Sequence, residues 1–531
     1  MPAPEGKLNA VWLFAGMALA MALGLAWVWP GAEAYWIEDA YIHLAMARNL
    51  VEHGVYGVTP HEFSSSSSSP LWVAMLAAGM ALFGSDVRMA LALNIVMALA
   101  FAAVVACVLA KTNLRVAAAA AALLVLAIAP IPQALSGMEH LGHAAAMVLA
   151  AWWLARRLSD DGTPVNEPAL LLLLLALPLW RYESLWLHAL ATALALLRGE
   201  RRLAVLIAAT GALPVLAFAA FSQSHGWPVL PGPILAKTIY LASDSGVLWL
   251  AKYLFWWPLK RLATFVPELL VLMVVADAWL AWTIFRTSRS WRQARWLAVL
   301  FFLLGSWTHA TFAAFGWGGR YEAYLLALGI VTLAMALPST DWRALLANRA
   351  RALAVGVLAV VLAVSGGLRV WHQHADLAGR AETVALRDVW PAQAIADICG
   401  GSPCELRVMA MNIGALSWYA GPRLTDLLAL GDREVLDLLR DGGLDSAAVR
   451  RLADTRRIDV ALIFDDFYDS WIGGGVPLVK VATLVQRTDW PTPLSFYARD
   501  ETSGARLAQA LKALTRAKPD KLALEFEPTF R

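Results

Sequence analysis

The chain has 531 residues, of which 60% are hydrophobic and 16% charged, with a formal net charge of +3 at pH 7 and a mean hydropathy of +0.59. This balance excludes an ordinary soluble globular protein, and we expect no nucleic-acid partner. Leu, Ala, Val and Trp dominate residues 1–369, whereas residues 370–531 carry a normal density of charge. We therefore predict a polytopic α-helical membrane module over 1–369, followed by a soluble α/β domain over 370–531.

The apolar segments predict about eleven transmembrane helices, some of them short for a perpendicular span. They lie near residues 9–30, 87–110, 115–132, 139–156, 168–180, 184–198, 202–221, 264–285, 295–313, 320–337 and 352–368. Basic residues cluster in the loops that this count places on the inner side, which is typical of cytoplasmic loops. We expect a multi-pass protein of the bacterial inner (cytoplasmic) membrane, with a cytoplasmic amino terminus and a periplasmic carboxy-terminal domain.

Three further stretches are predicted to lie along the outer face as juxtamembrane helices, at about 37–53, 70–84 and 234–257. Counting residues 70–84 as a span would reverse the orientation of the basic loops that follow. Several Trp residues in 234–257 favour the membrane interface.

Two adjacent acids, Glu38 and Asp39, follow the first span. Charge beside hydrocarbon is costly and is usually kept for function. At helical spacing, Asp39 and His43 lie together, opposite an apolar face. The predicted topology also brings other polar residues to the outer ends of spans, which indicates a reaction centre there: Arg48, Glu139, His140, Arg181, Glu183, Lys237, Arg320, Tyr321 and Glu322.

Several motifs occur in an order that resembles the GT-C glycosyltransferases, and most of all their bacterial terminal arabinofuranosyltransferase-like branch. They are Glu38-Asp39-Ala40-Tyr41-Ile42, Ala47-Arg48-Asn49-Leu50, Ser68-Ser69-Pro70-Leu71-Trp72, Ser136-Gly137-Met138-Glu139, Arg181-Tyr182-Glu183, Pro233 with Ala236-Lys237-Thr238, Asn412-Ile413-Gly414-Ala415 and Asp426-Leu427-Leu428-Ala429-Leu430. The chain departs from the branch at Glu38 and Asn412, where Asp is usual. The longer side chain of Glu38 changes where its carboxylate lies.

The resemblance implies transfer of a sugar, arabinofuranose in the branch, from a polyprenyl-phosphate donor to an extracytoplasmic glycan, lipid or protein. Asp39 would be the general base of an inverting displacement, assisted by Glu38. Lys237, Arg320 and Arg181 are candidates for the donor phosphate. His43, Glu139, His140, Glu183 and Tyr321 are candidates for sugar or acceptor contacts.

Simpler interpretations remain for the same residues. Asp39 could cap a helix, and Arg48, Arg181 and Arg320 could be interface anchors. The acids of 465–469 could bind a cation or a carbohydrate, but a solvated loop is the simpler interpretation. The six serines of 64–69 could be a flexible loop over the substrate or an inert linker. The whole chain could be a transporter or a noncatalytic glycan-binding membrane protein.

The three cysteines bear on the compartment. Cys399 and Cys404 could close as a disulfide in an oxidising periplasm, whereas Cys107 lies in a span and is typical of an apolar filler. Neither a Gly-rich nucleotide loop nor a Cys/His metal spacing is present. We predict no metal site and no certain cofactor, although a divalent cation is compatible with the sequence.

Overall fold

A computed structural model describes residues 4–28, 34–162, 164–238, 252–286, 292–337, 347–375, 377–400, 404–485 and 493–531. These residues form many helices and one mixed sheet, as predicted for a helical membrane protein with a carboxy-terminal α/β region. By contact density the chain divides into two compact units. Unit 1 comprises Met1–Pro30, Leu91–Ala217 and Asp244–Asp376, and unit 2 comprises Gly31–Ala90, Phe218–Ser243 and Leu377–Arg531.

The helices that precede the carboxy-terminal α/β region are, in chain order, α1 Pro4–Val28, α2 Asp39–His53, α3 Pro70–Phe83, α4 Met89–Leu109, α5 Leu114–Ile128, α6 Pro130–Leu135, α7 His140–Arg157, α8 Glu167–Trp180, α9 Leu185–Leu197, α10 Arg201–Ser224, α11 Gly232–Thr238, α12 Trp257–Phe265, α13 Pro267–Arg286, α14 Ala294–Phe312, α15 Ala323–Ala336 and α16 Arg349–His374. A short π-helix, Lys252–Trp256, precedes α12. Residues 239–251 of the predicted juxtamembrane stretch 234–257 lie outside the described residues.

Six helical segments of the described residues are long and apolar enough to cross a membrane: Lys7–Ala26, Met89–Leu109, Leu114–Leu135, Arg201–Ser224, Pro267–Phe285 and Arg349–Cys399. Shorter apolar helices occur at Pro70–Phe83, Glu167–Trp180, Tyr182–Leu197 and Ala323–Ala336. The polytopic character is therefore evident. The number eleven and the orientation stay predictions.

The carboxy-terminal α/β region of unit 2 contains the helices α17 Leu377–Val384, α18 Trp390–Cys399, α19 Gly414–Tyr419, α20 Arg433–Arg440, α21 Ser446–Thr455, α22 Asp465–Trp471 and α23 Glu501–Ala517. Its strands are β1 Arg407–Ala410, β2 Arg423–Asp426, β3 Val460–Phe464, β4 Val479–Leu484, β5 Leu494–Ala498 and β6 Leu524–Phe526. They form one sheet in the order β2-β1-β3-β5-β4-β6.

The sheet has a parallel half and an antiparallel half. Strand β1 pairs in parallel with β2 and β3, and β5 and β4 continue the sheet antiparallel. All five residues of β3 are buried, as expected for an apolar run inside a parallel sheet. Side chains of Asp432, Asp445 and Asp500 cap the helices that follow them, which explains where α20, α21 and α23 begin.

Unit 2 also contains the residues that follow the first span. Helix α2 begins at Asp39, and its residues from Ala40 to Ala47 are buried, including His43 at 4% exposure. The sequence predicts that Asp39 and His43 share the side of α2 opposite its apolar face, and in the structure this side is covered as well at His43. Helix α2 packs on both α3 and α19, so it is enclosed on more than its apolar side.

Candidate active site

The acid pair at the start of α2 contacts the carboxy-terminal α/β region of unit 2. The Glu38 carboxylate accepts hydrogen bonds from the backbone N–H groups of Gly414 and, at 3.2 Å, Ala415. These residues open α19, where backbone donors have no partner within the helix. A Cβ added at Gly414 would lie 2.7 Å from the backbone nitrogen of Ile42 and 2.8 Å from Glu38 Oε1. Only glycine permits this approach without displacement.

Helix α2 also contacts the other end of α19. The Arg48 guanidinium donates to the carbonyl oxygens of Trp418 and, at 3.2 Å, Ser417, and lies 5.0 Å from the centroid of the Trp418 ring. A carboxylate at the amino end and a cation at the carboxyl end both complement the helix dipole. Two motifs separated by more than 360 residues thus form one packed element.

Further charges surround Glu38. Burial raises its pKa well above the ordinary value, and the neighbouring carboxylates of Asp388 and Asp39 add to the shift, against the hydrogen bonds from Gly414 and Ala415. The Asp388 carboxylate accepts from Arg387 at 2.9 Å and from the Asn412 side chain at 2.8 Å. Glu38 therefore binds a proton more tightly than an ordinary glutamate does.

Asp39 is the first residue of α2 and is half-buried. A carboxylate is favoured in the first helical turn, so the helix-capping interpretation also fits this position. The backbone oxygen of Asp39 lies 3.1 Å from His43 Nδ1, which ties the His43 ring to the same turn. Unit 2 thus brings together Glu38, Asp39 and His43 of the predicted site, and adds Asp388, for which the sequence gives no signal.

The remaining predicted residues form a second cluster, in unit 1. The Arg181 guanidinium donates to Glu139 Oε1 at 2.6 Å, to Glu183 Oε1 at 2.6 Å and to Glu183 Oε2 at 3.2 Å. Glu139 is fully buried and Arg181 is 7% exposed. One guanidinium thus binds two carboxylates and fixes their positions. Its three nitrogen atoms each donate to one of these glutamates.

An aromatic ring joins this cluster to the loop before α15. The Arg181 and Arg320 guanidinium carbons lie 5.3 and 4.9 Å from the centroid of the Tyr321 ring, and the His140 ring meets it edge-on at 5.8 Å. Arg320 also donates to the Tyr321 hydroxyl at 3.1 Å. Six predicted residues are brought together here: Glu139, His140, Arg181, Glu183, Arg320 and Tyr321.

Sequence reasoning missed Arg369, at the end of α16. Its guanidinium forms ion pairs of 2.9 Å with both Glu268 and Glu322 and donates to the Gly319 carbonyl oxygen at 2.9 Å. It thereby fixes the loop that carries Arg320. The available signal was an arginine directly after an apolar span, which is also typical of an interface anchor.

Other predicted features have definite places. Lys237 belongs to α11, but its side chain lies outside the described residues. Cys399 and Cys404 are joined by a disulfide. The described residues hold no group of three His, Cys, Asp or Glu side chains suited to a metal ion.

Asp465 begins α22 and accepts hydrogen bonds of 2.7 Å from Lys480, Ser495 and Tyr497, so it is a structural acid of the sheet.

The serine run is buried. Five of its six residues, Ser64 to Ser67 and Ser69, are at most 3% exposed. The Ser65 carbonyl oxygen accepts from Gly232 at 2.8 Å, and Ser64 Oγ accepts from Val58 at 2.9 Å. Small hydroxyl side chains permit this close packing, which differs from the solvated loop or linker considered for the sequence.

The chain is similar to several solved structures, and one of its segments matches a protein-family model. A family model described as a domain of unknown function (DUF8728) matches residues 386–509. No curated protein matches the chain in sequence. The crystal structure of ArnT from Cupriavidus metallidurans bound to undecaprenyl phosphate matches with a TM-score of 0.52 at 14% identity, over 93% of this chain and 98% of that one.

Two further solved structures are similar. ArnT from the same organism in the apo state gives a TM-score of 0.51 at 14% identity, over 93% of this chain and 98% of that one. The apo oligosaccharyltransferase of Archaeoglobus fulgidus gives a TM-score of 0.48 at 12% identity, over 92% of this chain and 74% of that one. At such identities the ArnT likeness concerns the fold alone.

Proposed function

Because this chain has the fold of the GT-C glycosyltransferases, we propose that it is a membrane glycosyltransferase. Its donor is a polyprenyl-phosphate sugar and its acceptor an extracytoplasmic glycan, lipid or protein. The observation that carries the proposal is the acid pair Glu38-Asp39, held at the start of α2 by the buried helix α19. The structure of ArnT with undecaprenyl phosphate supports the class of donor.

Asp39 is proposed as the general base. The phosphate of the donor leaves without protonation where cations offset its charge. The remaining requirement is removal of a proton from the acceptor hydroxyl as its oxygen attacks the anomeric carbon. The new carbon–oxygen bond forms as the bond to phosphate breaks, which inverts the anomeric configuration. Glu38, whose oxygen is engaged by α19, orients this turn of the chain.

The cationic residues have different proposed roles. Arg320 and Lys237 are proposed to bind the donor phosphate. Because the donors of Arg181 are already engaged by Glu139 and Glu183, Arg181 is proposed as a positioning residue that orients those two carboxylates towards sugar hydroxyls. His43, His140 and Tyr321 stay candidates for substrate contacts.

The sugar and the compartment are also part of the proposal. Arabinofuranose is the sugar that the sequence branch suggests. The Cys399–Cys404 disulfide supports an oxidising periplasm for the carboxy-terminal region, and hence an inner-membrane protein with a cytoplasmic amino terminus.

The test of Asp39 uses a strain from which the gene is deleted, complemented with variants of the full chain. Mass spectrometry of the surface glycans should show one sugar missing in the deletion strain and restored by the wild-type gene. The Asp39→Asn protein should lower transfer by about 10²- to 10⁴-fold, since an amide cannot accept the proton. NMR of the restored linkage reports the anomeric configuration.

The matched control is Asp86→Asn, an identical chemical change in the same unit at an exposed ion pair with Arg88. It should restore transfer like the wild-type chain, and immunoblots of membranes should show equal amounts of both variants. Full transfer by the Asp39→Asn protein would reject Asp39 as the base. A deletion strain with unchanged glycans would favour the transporter alternative.

A further inference from the structure

Unit 2 contains a cavity of about 910 Å³ that does not include the acid pair. Its wall is formed by the first residues of β1 and β2, the start of α20, the end of α21 and the segment before the serine run. The residues that line it include Arg407, Arg457, Glu62, Asp441 and Trp227. The volume lies within the range of sites for small organic ligands.

The cavity and the acid pair lie at opposite ends of the parallel strands. Arg407 is the first residue of β1, whereas the chain reaches Gly414, the partner of Glu38, after the last residue of β1. A ligand in this cavity is therefore held away from the proposed base.

The charges of the wall are balanced. Five arginines and five carboxylates line the cavity, so its formal charge favours neither an anion nor a cation. Some of these groups neutralise each other: Arg456 pairs with Asp432 and, at 2.6 Å, with Glu434. These pairs form a rigid part of the wall.

Other groups of the wall are available to a ligand. In the part of the chain that the structure describes, Arg407 and Arg457 form no ion pair, and neither do Glu62 and Asp441. All four are exposed. The cavity thus contains two guanidinium groups and two carboxylates that are not paired with an opposite charge among the described residues.

This combination selects a chemical class. A phosphate has only acceptor oxygens at neutral pH and would meet the negative charges of Glu62 and Asp441. An ammonium group has only donors and would meet Arg407 and Arg457. A hydroxyl group both donates and accepts, so a polyhydroxylated ligand satisfies both kinds of side chain. Trp227 adds an amphipathic aromatic surface to the same wall.

We infer that this cavity binds an oligosaccharide segment of the acceptor, away from the hydroxyl that receives the sugar. The inference rests on the proposed function, since it assumes that the protein transfers a sugar to an acceptor. It narrows the class of that acceptor from a glycan, lipid or protein to a glycan chain. Such a site gives the enzyme a preference for longer acceptors, because a chain of few sugars cannot reach the cavity and the base together.

The test uses the full-length protein in lipid nanodiscs. The probe is the set of size-fractionated glycans released by mild acid from envelopes of the deletion strain, which contain the unmodified acceptor. Isothermal titration calorimetry should show binding of long fractions to the wild-type protein. The double variant Arg407→Gln/Asp441→Asn, which keeps the net charge, should bind at least tenfold more weakly. In transfer assays it should raise KM for long acceptors and leave kcat unchanged.

The control is the double variant Arg88→Gln/Asp86→Asn, a charge-neutral change at an exposed pair of unit 2 outside the cavity. It should bind like the wild-type protein. The Asp39→Asn protein should also bind the glycans normally while failing to transfer.

The outcomes separate the two proposals. Equal binding by the cavity variant and the wild-type protein would overturn the cavity inference and leave the transfer proposal intact. Absence of binding by the wild-type protein to every fraction would also overturn it. Normal glycan binding by a wild-type protein that transfers no sugar would reject the transfer proposal and leave a noncatalytic glycan-binding protein.

Discussion

Two carboxylate pairs of unit 1 and two acids of unit 2 are held in different ways. In unit 1, Arg181 holds Glu139 and Glu183, and Arg369 holds Glu268 and Glu322. In unit 2, Glu38 and Asp426 are held by backbone N–H groups. Asp426 accepts from Leu428 at 2.9 Å and from Leu430 and Gly431 at 2.7 Å.

The difference has a chemical consequence. A guanidinium places positive charge beside its carboxylates and fixes their position, so the arginine clusters of unit 1 are a charged frame. Backbone dipoles offset burial only in part. Burial accordingly raises the pKa of Glu38, and it raises the pKa of Asp426 to about 7. Both of these acids belong to unit 2, where the proposed base lies.

The largest effect should come from removing the frame of unit 1. Arg181→Met leaves the buried Glu139 and the half-buried Glu183 without a counter-charge, so we expect a loss of about 3–5 kcal/mol in the free energy of unfolding. Thermal unfolding in detergent measures it. The control, Arg202→Met, alters an exposed arginine of the same unit and should have little effect. Adding Glu139→Gln and Glu183→Gln to Arg181→Met should recover part of the loss; no recovery would contradict the charge argument.

A smaller effect should follow from separating α2 and α19. Gly414→Ala places a methyl group against Ile42 and the Glu38 carboxylate, so we expect a loss of about 1–3 kcal/mol from overpacking. Transfer should fall more than the amount of protein does, because the turn that carries Asp39 moves. The control is Gly442→Ala, where a Cβ meets no atom within 4 Å although the φ of +68° adds some strain. Unchanged transfer by the Gly414→Ala protein would show that α19 does not position the acid pair.

The Asp426→Asn variant tests how much the hydrogen bonds from backbone N–H groups to a buried acid of unit 2 contribute to stability. An amide has one acceptor oxygen for three N–H donors, so the loss should be about 1–3 kcal/mol at low pH. Because the folded-state pKa of Asp426 is above its unfolded value of about 4, its contribution to stability is present below pH 4 and is lost as the pH rises through 7. The stability difference between wild-type and variant proteins should therefore shrink from pH 4 to pH 8. A difference independent of pH would contradict the raised pKa.

The smallest effect is expected for Glu38→Gln. The amide oxygen can still accept from Gly414 and Ala415, so transfer should fall by less than about tenfold. Because burial raises the pKa of Glu38, its side chain is protonated at low pH, and the neutral amide resembles that protonated form. The acidic limb of the pH–rate profile should therefore keep its position. Glu38→Ala, which removes the acceptor, should be less stable than Glu38→Gln; equal stability would argue against the contact with α19.

The sequence predicted those parts of the site that depend on local pattern. Strands β1 and β3 are short apolar runs between polar segments, which is the local pattern that predicts buried strands of an α/β region. The motif residues of unit 1 were predicted individually, and the structure places six of them in one cluster. The fold class was confirmed by the likeness to ArnT.

Contacts between distant segments could not be predicted in this way. Arg48 was weighed as an interface anchor, but it contacts the carbonyl oxygens at the end of α19, about 370 residues away. The serine run was read from its composition as a loop or linker, but it is buried against Gly232 and neighbouring segments. In each case the side chain permits several environments, and the packing partner selects one.

Hydropathy and short motifs are local properties, so the amino-acid sequence is enough to predict a polytopic membrane protein with an acid pair after its first apolar segment and a carboxy-terminal α/β region. Which charges are neutralised, and by which groups, is evident only from the folded structure. Arg181 and Arg369 hold carboxylates of unit 1, whereas Glu38 is held by backbone amides from a helix 376 residues later in the chain. The state of a buried charge depends on the groups that packing brings within a few ångströms, and sequence distance does not encode them.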